Sequence, residues 1–538
     1  MTTPTAHINA RAASLAAALL AGLVAAAGIA FLVQVAAVSS RPAAGRALIV
    51  HAERTGIRLG DNALTGRVDL VASVPGLRWR IAGVTGWRQA PGRVLVRSWD
   101  TEDVPDGPYA LELRTHGLQT ARTLVVRNVT PVTGYTAADQ ANASAGLSLS
   151  PTDARAVVAS FGRSSYRPGE VAVLTLARAY PAVRIELLRC GPEQQLTIGN
   201  ETMEGIPVAE RRVHAVRVVR IAIGAWPSGV YTARLTSTRG RVGFAPFVIR
   251  PRRLGEHRVA VVQPNYTWQA YNYRDGDDDG RPDSWYGNGR SRVVDVTRPY
   301  LDRGVPPHFR QYDVSFLRWL THSGREVDML AQEDIEQVSG DRLARLYDLI
   351  VFPGHHEYVT EGEYDAVRRY RDLGGNLAFL SANNFFWRVD RRGTRIYRIA
   401  MWRDLGRPES ALVGVQYFDW NHGTYGSRPY RLVAPERAPW LFAGVAGRGD
   451  ALGQFGIEVD GRTAASPRSI RVLAVLENAF GTGRPAEMTY YETRRGAKVF
   501  AAGAFTLAGT QARQPGIWRL LENLWDGLAT LPIRASGR

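Results

Sequence analysis

Cysteine and lysine are almost missing from this chain. One cysteine, Cys190, stands among 538 residues, so no intrachain disulfide forms and no cysteine-rich metal site exists. Lysine occurs once, at Lys498, so arginine supplies all the rest of the 67 basic residues. Such a bias follows from genome base composition and by itself assigns no arginine-specific function. Any basic block, basic helix or zinc-finger spacing is lacking too. Residues 1–250 hold 28 arginines against 16 acids, and residues 251–538 hold 39 basic residues against 34 acids, for a formal +17 overall. Nucleic-acid binding concentrates charge on one face, so no nucleic-acid partner is expected. A diffuse basic surface near anionic lipid or polymer fits better.

What is present describes a large globular protein. Hydrophobic residues make up 45%, with 13 Trp, 21 Tyr and 16 Phe, enough for several cores and incompatible with a disordered or fibrous chain. The length predicts roughly two to four domains. No charge interrupts the chain from Ala12 to Ser40, and Leu15 to Val38 is almost wholly apolar. A bilayer needs about 20 apolar residues and a signal-peptide core about 7–15. Residues 1–42 are therefore expected to be an uncleaved signal anchor, giving a single-pass cell-membrane protein with an exported carboxyl-terminal region. The alternative is a cleaved signal ending near Ala37-Val38-Ser39, which would leave a secreted or periplasmic chain.

Two β-rich modules come next. Over 46–130, short strands such as Arg67–Val74, Arg78–Val84 and Tyr109–Thr115 alternate with turns, the spacing of an immunoglobulin-like sandwich. Residues 131–146 read as a linker. A second such module spans 147–252, with strands including Val171–Ala177, Val183–Leu188, Val213–Ile223 and Tyr231–Ser237. From 255 to 535 the pattern becomes strand–helix–strand. His257–Gln263, Val327–Leu330, Leu349–Phe352 and Asn376–Ser381 are expected strands, and Val314–Ser323, Asp341–Tyr347 and Thr360–Leu373 expected helices. This alternation predicts a doubly wound α/β sheet, in which ligands bind beyond the carboxyl ends of the strands.

Three stretches carry chemistry. Asp275, Asp277, Asp279 and Asp283, with Gly280 for a sharp turn and the Arg281 carbonyl, have the spacing of an oxygen cage for a structural Ca²⁺. Tyr286 stands where an EF-hand would carry its last Glu, so the loop resembles the shorter calcium loops of thrombospondin-type repeats. Gly354-His355-His356-Glu357-Tyr358 comes directly after a buried strand and could bind a metal or move protons. Adjacent residues on an extended chain point to opposite sides, so at most one histidine faces a site with Glu357. Ser381-Ala382-Asn383 occupies the turn that carries the nucleophilic cysteine in class I glutamine amidotransferases. With no cysteine there, a glutaminase mechanism is excluded. Ser381 lacks a Gly-x-Ser-x-Gly elbow and reads as structural.

Several runs together resemble one known family. They are Asn265-Tyr266-Thr267-Trp268-Gln269-Ala270-Tyr271-Asn272, Arg298-Pro299-Tyr300, Gly354-His355-His356-Glu357-Tyr358, Asn383-Asn384-Phe385-Phe386-Trp387-Arg388, Met401-Trp402-Arg403 and Met488-Thr489-Tyr490-Tyr491-Glu492-Thr493. Their order over about 255–530 resembles the carboxyl-terminal domain of the N,N-dimethylformamidase large (beta) subunit. That resemblance implies an amidotransferase-like fold and an iron (Fe³⁺) held by two tyrosinates and one glutamate, acting as a Lewis acid in hydrolysis of amide C–N bonds. Carried over by motif, Glu357 is the carboxylate ligand and Tyr271 and Tyr300 the tyrosines, with Tyr286 and Tyr266 as alternates. His355 is the implied acid/base group and Asn383 a substrate or oxyanion donor.

Departures fall at the pocket edge. His356 replaces the family's Pro, Ser381-Ala382-Asn383-Asn384 replaces a glycine-rich approach, and Phe386 replaces a Tyr. The expected substrate is thus a small amide other than dimethylformamide. A homo-oligomer is an open expectation, and nothing in the sequence announces the family's small partner subunit. The alternative function is a non-catalytic surface protein that binds an envelope component, with calcium stabilising its loop.

Overall fold

A computed structural model describes residues 50–54, 64, 67–72, 75–101, 104, 107–115, 118–126, 156–191, 203–274, 282–286, 291, 293–301, 303–421, 428–445, 451–505, 507 and 515–529. The anchor segment, the linker and the loop from Asp275 to Arg281 lie outside these residues. Among the described residues no helix is long and apolar enough to cross a membrane. Two compact units divide the chain, Met1–Asn128 and Val129–Arg538.

The first unit is built from two antiparallel sheets. One orders Val50–Arg54, Arg67–Ala72 and Val94–Asp100; the other orders Arg88–Gln89, Arg78–Ile81, Gly107–Thr115 and Leu118–Val126. Alternation explains the layers. Trp79 and Ile81 point into a core with Leu70, Leu111 and Leu113, while Arg80 pairs outside with Glu112 on the neighbouring strand at 2.9 Å.

The second unit opens on another pair of sheets. Val218–Ala222, Val171–Leu176 and Ala159–Phe161 form one. Ile206–Val213, Val183–Arg189, Gly229–Ser237, Val242–Ile249 and Ser165–Tyr166 form the other. Leu174, Ile185, Tyr231 and Phe247 pack between them. The single strand expected over Val213–Ile223 is instead divided between the two sheets. Ala215, left-handed at φ 50°, lies at the crossing. A continuous apolar pattern hid that break, because both segments feed the same core.

This β module is fused to the α/β domain. Phe244 N–H donates to the Arg303 carbonyl at 2.6 Å, and Met329 N–H donates to Ser228 Oγ at 2.8 Å. Gly304 is required at the seam. Its φ is 90°, and a Cβ there would sit 1.8 Å from the Phe244 carbonyl oxygen.

Among the described residues of the α/β domain the largest sheet has eleven strands. Asp328–Ala331, Val259–Gln263, Leu349–Phe352, Asn376–Phe379 and Lys498–Ala501 run parallel, in that spatial order. Their side chains alternate between two apolar layers. Val259, Val261, Leu349 and Val351 face the helices Val314–His322 and Pro515–Leu528. Ala260, Val262, Ile350 and Phe352 face Gly340–Leu346 and Glu361–Asp372. Strands buried on both faces read as unbroken apolar runs, which is how they appear in the sequence.

Beyond Lys498–Ala501 the sheet changes character. Ala486–Glu492, Arg471–Leu476, Arg428–Leu432, Ala451–Gly461 and Gln416–Trp420 continue it with antiparallel pairing. The expectation of a doubly wound sheet therefore describes only the parallel half. A four-stranded sheet, Val293–Asp295, Arg395–Met401, Trp387–Arg392 and Tyr358–Thr360, lies apart from it.

Candidate functional site

Loops after three parallel strands meet, as their position at carboxyl ends requires. After Val259–Gln263 the chain turns at Pro264 into the short helix Asn265–Ala270, and Tyr271 caps its end. After Leu349–Phe352 comes Gly354-His355-His356-Glu357. After Asn376–Phe379 comes Leu380 through Phe385, in which Asn383 and Phe385 are left-handed at φ 52° and 61°. Two such non-glycine residues in one turn mark a strained loop held by its surroundings.

Glu357 is the centre. Its backbone N–H donates to Thr267 Oγ1 at 3.0 Å, and its carbonyl accepts from the Phe386 and Trp387 N–H groups, each at 2.9 Å. Its side chain is 2% exposed. The Tyr271 hydroxyl donates to Glu357 Oε2 at 2.7 Å, and the Tyr286 hydroxyl donates to Oε1 at 3.0 Å. The two phenol rings stack at 4.2 Å, and the Tyr286 hydroxyl also meets that of Tyr358. Burial pushes the Glu357 carboxyl up to about 7, against the opposing pull of His355. Burial and the Glu357 charge hold the Tyr286 phenol well above its ordinary value.

The two histidines part. His355 Nε2 stands 3.3 Å from Glu458 Oε2 and 3.4 Å from Glu357 Oε2, at ion-pair distance but without hydrogen-bond alignment to either. Burial alone would lower its pKa; the Glu458 and Glu357 carboxylates outweigh that and raise it. Phe505 packs edge-on against the ring at 4.5 Å. His356 turns the other way, 2.6 Å from Glu363 Oε1, stacked on Phe385. Gln332 donates to the second Glu363 oxygen at 2.9 Å, so His356 belongs to a buried brace behind the loop.

Asn383 also reaches this region. Its backbone N–H donates to Asp460 Oδ1 at 2.9 Å, while its side-chain Oδ1 is buried without a hydrogen-bond partner. Burial pushes the Asp460 carboxyl up to about 8. Ser381 Oγ is buried and unpartnered as well.

The structure brings together Tyr271, Glu357, His355 and the alternate Tyr286. Tyr300 is not part of this group. It lies in the apolar layer with Trp268, Phe244 and Val248. Tyr266 is elsewhere too, donating to Glu336 Oε2 at 2.9 Å. Of the aspartate-rich loop only Asp283 is described. Its N–H donates to the Arg274 carbonyl at 2.9 Å, and its carboxylate lies 4.0 Å from Arg298.

Sequence reasoning missed Glu458, Asp460 and Phe505. Glu458 and Asp460 sit two apart in Ala451–Gly461, a strand of the antiparallel half. Register shifts there between Gly456 and Val459, with Ile457 left-handed at φ 68°. A left-handed β-branched residue costs about 1–3 kcal/mol and clusters at functional sites. Two acids two apart inside an apolar strand were the available signal, since both project to one face.

The donor chemistry suits a hard trivalent cation. Two phenol oxygens and one carboxylate converge in a buried place, and tyrosinate forms there would need a compensating positive charge. Among the described residues no group of three His, Cys, Asp or Glu side chains could hold a metal.

Comparison with known proteins gives a consistent family. The family described as N,N-dimethylformamidase beta subunit-like, C-terminal, matches residues 216–514, more than half of the chain. The N,N-dimethylformamidase beta subunit of an Alcaligenes species is 25% identical over 217 residues, 40% of this chain and 27% of that protein. That of Paracoccus aminophilus is 26% identical over 157 residues, 29% of this chain and 19% of that protein. The chain thus spans about a quarter or less of the curated relatives it matches. Among solved structures, the D0-D1 domain of Intimin covers 38% of this chain at 9% identity and TM-score 0.12, over 91% of its own length. Fibronectin(III)-like modules of Clostridium thermocellum CbhA cover 38% at 8% identity and TM-score 0.14, over 97% of their own length. At such TM-scores neither bears on fold or function.

Proposed function

Because this chain belongs to the N,N-dimethylformamidase beta subunit-like family, we propose that it is a metal-dependent hydrolase of amide C–N bonds. The observation that carries this reading is the convergence of the Tyr271 and Tyr286 hydroxyls on Glu357. We assign these three as the residues that would hold iron, with Tyr286 in place of Tyr300. Bound there, Fe³⁺ would supply Lewis-acid chemistry, polarising an amide carbonyl and lowering the pKa of water. The parallel half of the sheet, read as amidotransferase-like, would then serve as its scaffold.

The chain's own residues supply the rest. His355 accepts a proton from the attacking water and returns it to the departing amine nitrogen, so no proton is lost across the step. Glu458 and Glu357 favour its protonated form between those two transfers. The Asn383 side-chain amide N–H would donate to the substrate carbonyl oxygen, with the Asn383 backbone held by Asp460. Tyr271 and Phe505 wall the imidazole at 5.4 and 4.5 Å and exclude bulk water.

The apolar run from Leu15 to Val38 would anchor the chain in a membrane with this domain exported, and the aspartate-rich loop would bind a structural Ca²⁺. The substrate would be a small linear amide.

The test is elemental analysis and visible absorption of wild type beside Glu357→Gln, purified without chelators, with hydrolysis of an amide panel. One iron per chain and a tyrosinate absorption band, both lost in the variant together with hydrolysis, are expected. Colourless, iron-free wild-type protein would overturn the assignment.

A further inference from the structure

A groove of about 720 Å³ runs along the seam between the second β module and the α/β domain. Seven arginines line it against two carboxylates, Glu333 and Asp334. Four of these arginines are already committed. Arg163 and Arg167 bind Glu170 at 2.8 and 3.0 Å, Arg250 meets Asp334 at 3.2 Å, and Arg391 pairs with Glu336. Arg252, Arg253 and Arg342 have no acidic partner among the described residues, and all three are exposed. Both carboxylates are occupied as well: Ser164 Oγ donates to Glu333 at 2.8 Å and Ser165 Oγ donates to Asp334 at 2.8 Å.

The lining also lacks something. No Phe, Tyr, Trp or His side chain borders the groove. A nucleobase ligand would need a ring to stack on, and the apolar side chains present, Pro251, Leu254, Val296 and Val338, are outnumbered by the seven arginines. What remains is recognition by charge and by planar, two-pronged hydrogen bonding, which guanidinium offers to phosphate oxygens. The three uncommitted arginines come from separate places, Arg252 and Arg253 from the segment joining the modules and Arg342 from the helix Gly340–Leu346. A ligand satisfying all three must carry several anionic groups along its length. We propose that this groove binds a linear, phosphate-bearing polyanion. The site is independent of the Glu357 centre and stands whether or not the chain hydrolyses amides.

The experiment is calorimetric titration of the full chain with linear inorganic polyphosphate at physiological salt, beside monophosphate and polyglutamate. Wild type should bind polyphosphate more tightly than either comparator. Replacing Arg252, Arg253 and Arg342 together by Ala should weaken binding by about tenfold or more, since hydrogen bonds to charged groups are lost. A control removes the same charge elsewhere, by Ala at the exposed Arg468, Arg494 and Arg495, and should change binding less than about twofold, because isolated surface charges contribute little. Equal weakening in the two triple variants would reduce the effect to net charge and overturn the site. No polyphosphate binding by wild type would overturn it too, as would equal affinity for monophosphate or polyglutamate. Unchanged far-ultraviolet circular dichroism in each variant separates loss of binding from loss of folding.

Discussion

The two halves of the large sheet serve the same site in different ways. The parallel half contributes through loops. Tyr271, His355, Glu357 and Asn383 all lie just past strand ends, and each loop is fixed by backbone hydrogen bonds such as Glu357 N–H to Thr267 Oγ1 at 3.0 Å. The antiparallel half contributes from within a strand, where Glu458 and Asp460 reach His355 and Asn383. Loop placement allows chemistry to vary without disturbing the core. Strand placement ties Glu458 and Asp460 to sheet pairing, at the expense of a bulge with Ile457 left-handed at φ 68°. The groups we propose to react thus follow strands of the parallel half, and the carboxylates that contact them, Glu458 and Asp460, belong to the other.

This division can be broken in order of effect. His355→Ala should remove the proposed proton-transferring group and lower kcat/KM for a hydrolysed amide by about 10²–10⁴-fold, with iron content unchanged. A loss below tenfold would move proton transfer to another residue. Next, Phe352→Ala empties a fully buried position stacked on Phe379 at 4.9 Å. Denaturant unfolding should show about 3–5 kcal/mol of lost stability.

Glu458→Gln tests the antiparallel half directly. With the imidazole kept and its charged neighbour neutralised, kcat/KM should fall by about 10–100-fold while iron stays bound, the range typical of outer-shell partners. Full activity would show that Glu458 merely packs beside His355.

The smallest effect concerns Glu333, at the outer edge of the parallel half. Burial pushes its carboxyl up to about 7 from an ordinary 4.5. The folded chain therefore holds this proton more tightly than the unfolded chain does. Its contribution to stability is greatest below pH about 4.5 and is lost as pH rises to about 7. Glu333→Gln should flatten that fall by an amount on the order of 1 kcal/mol, measured by urea unfolding at several pH values. An unchanged slope would show that the Ser164 and Asn265 hydrogen bonds keep the carboxylate charged across that range.

Much of the parallel half was legible because its determinants are local. Leu349–Phe352 appears in the structure with the same bounds as its apolar run, and Asn376–Phe379 falls within the expected Asn376–Ser381. The antiparallel extension was not legible. Strands such as Arg428–Leu432, with burial interrupted by exposed arginines, carry no pattern that distinguishes them from loop. The same limit governed the tyrosines. Tyr271, Tyr286 and Tyr300 each sit in aromatic, polar surroundings that local pattern cannot rank.

By itself the sequence determined the alternation of strands and helices, the strand ends at which chemistry collects, and the presence of Glu357 and His355 at one of them. Periodicity and turn residues act over a few positions, so these are properties a chain declares locally. Only the tertiary structure decided that Tyr286 rather than Tyr300 meets Glu357, that His355 faces a carboxylate from 103 residues further on, and that arginines from separate elements share one groove. Those contacts depend on where packing brings distant segments, and burial, which governs their charge states, exists only once the segments have met.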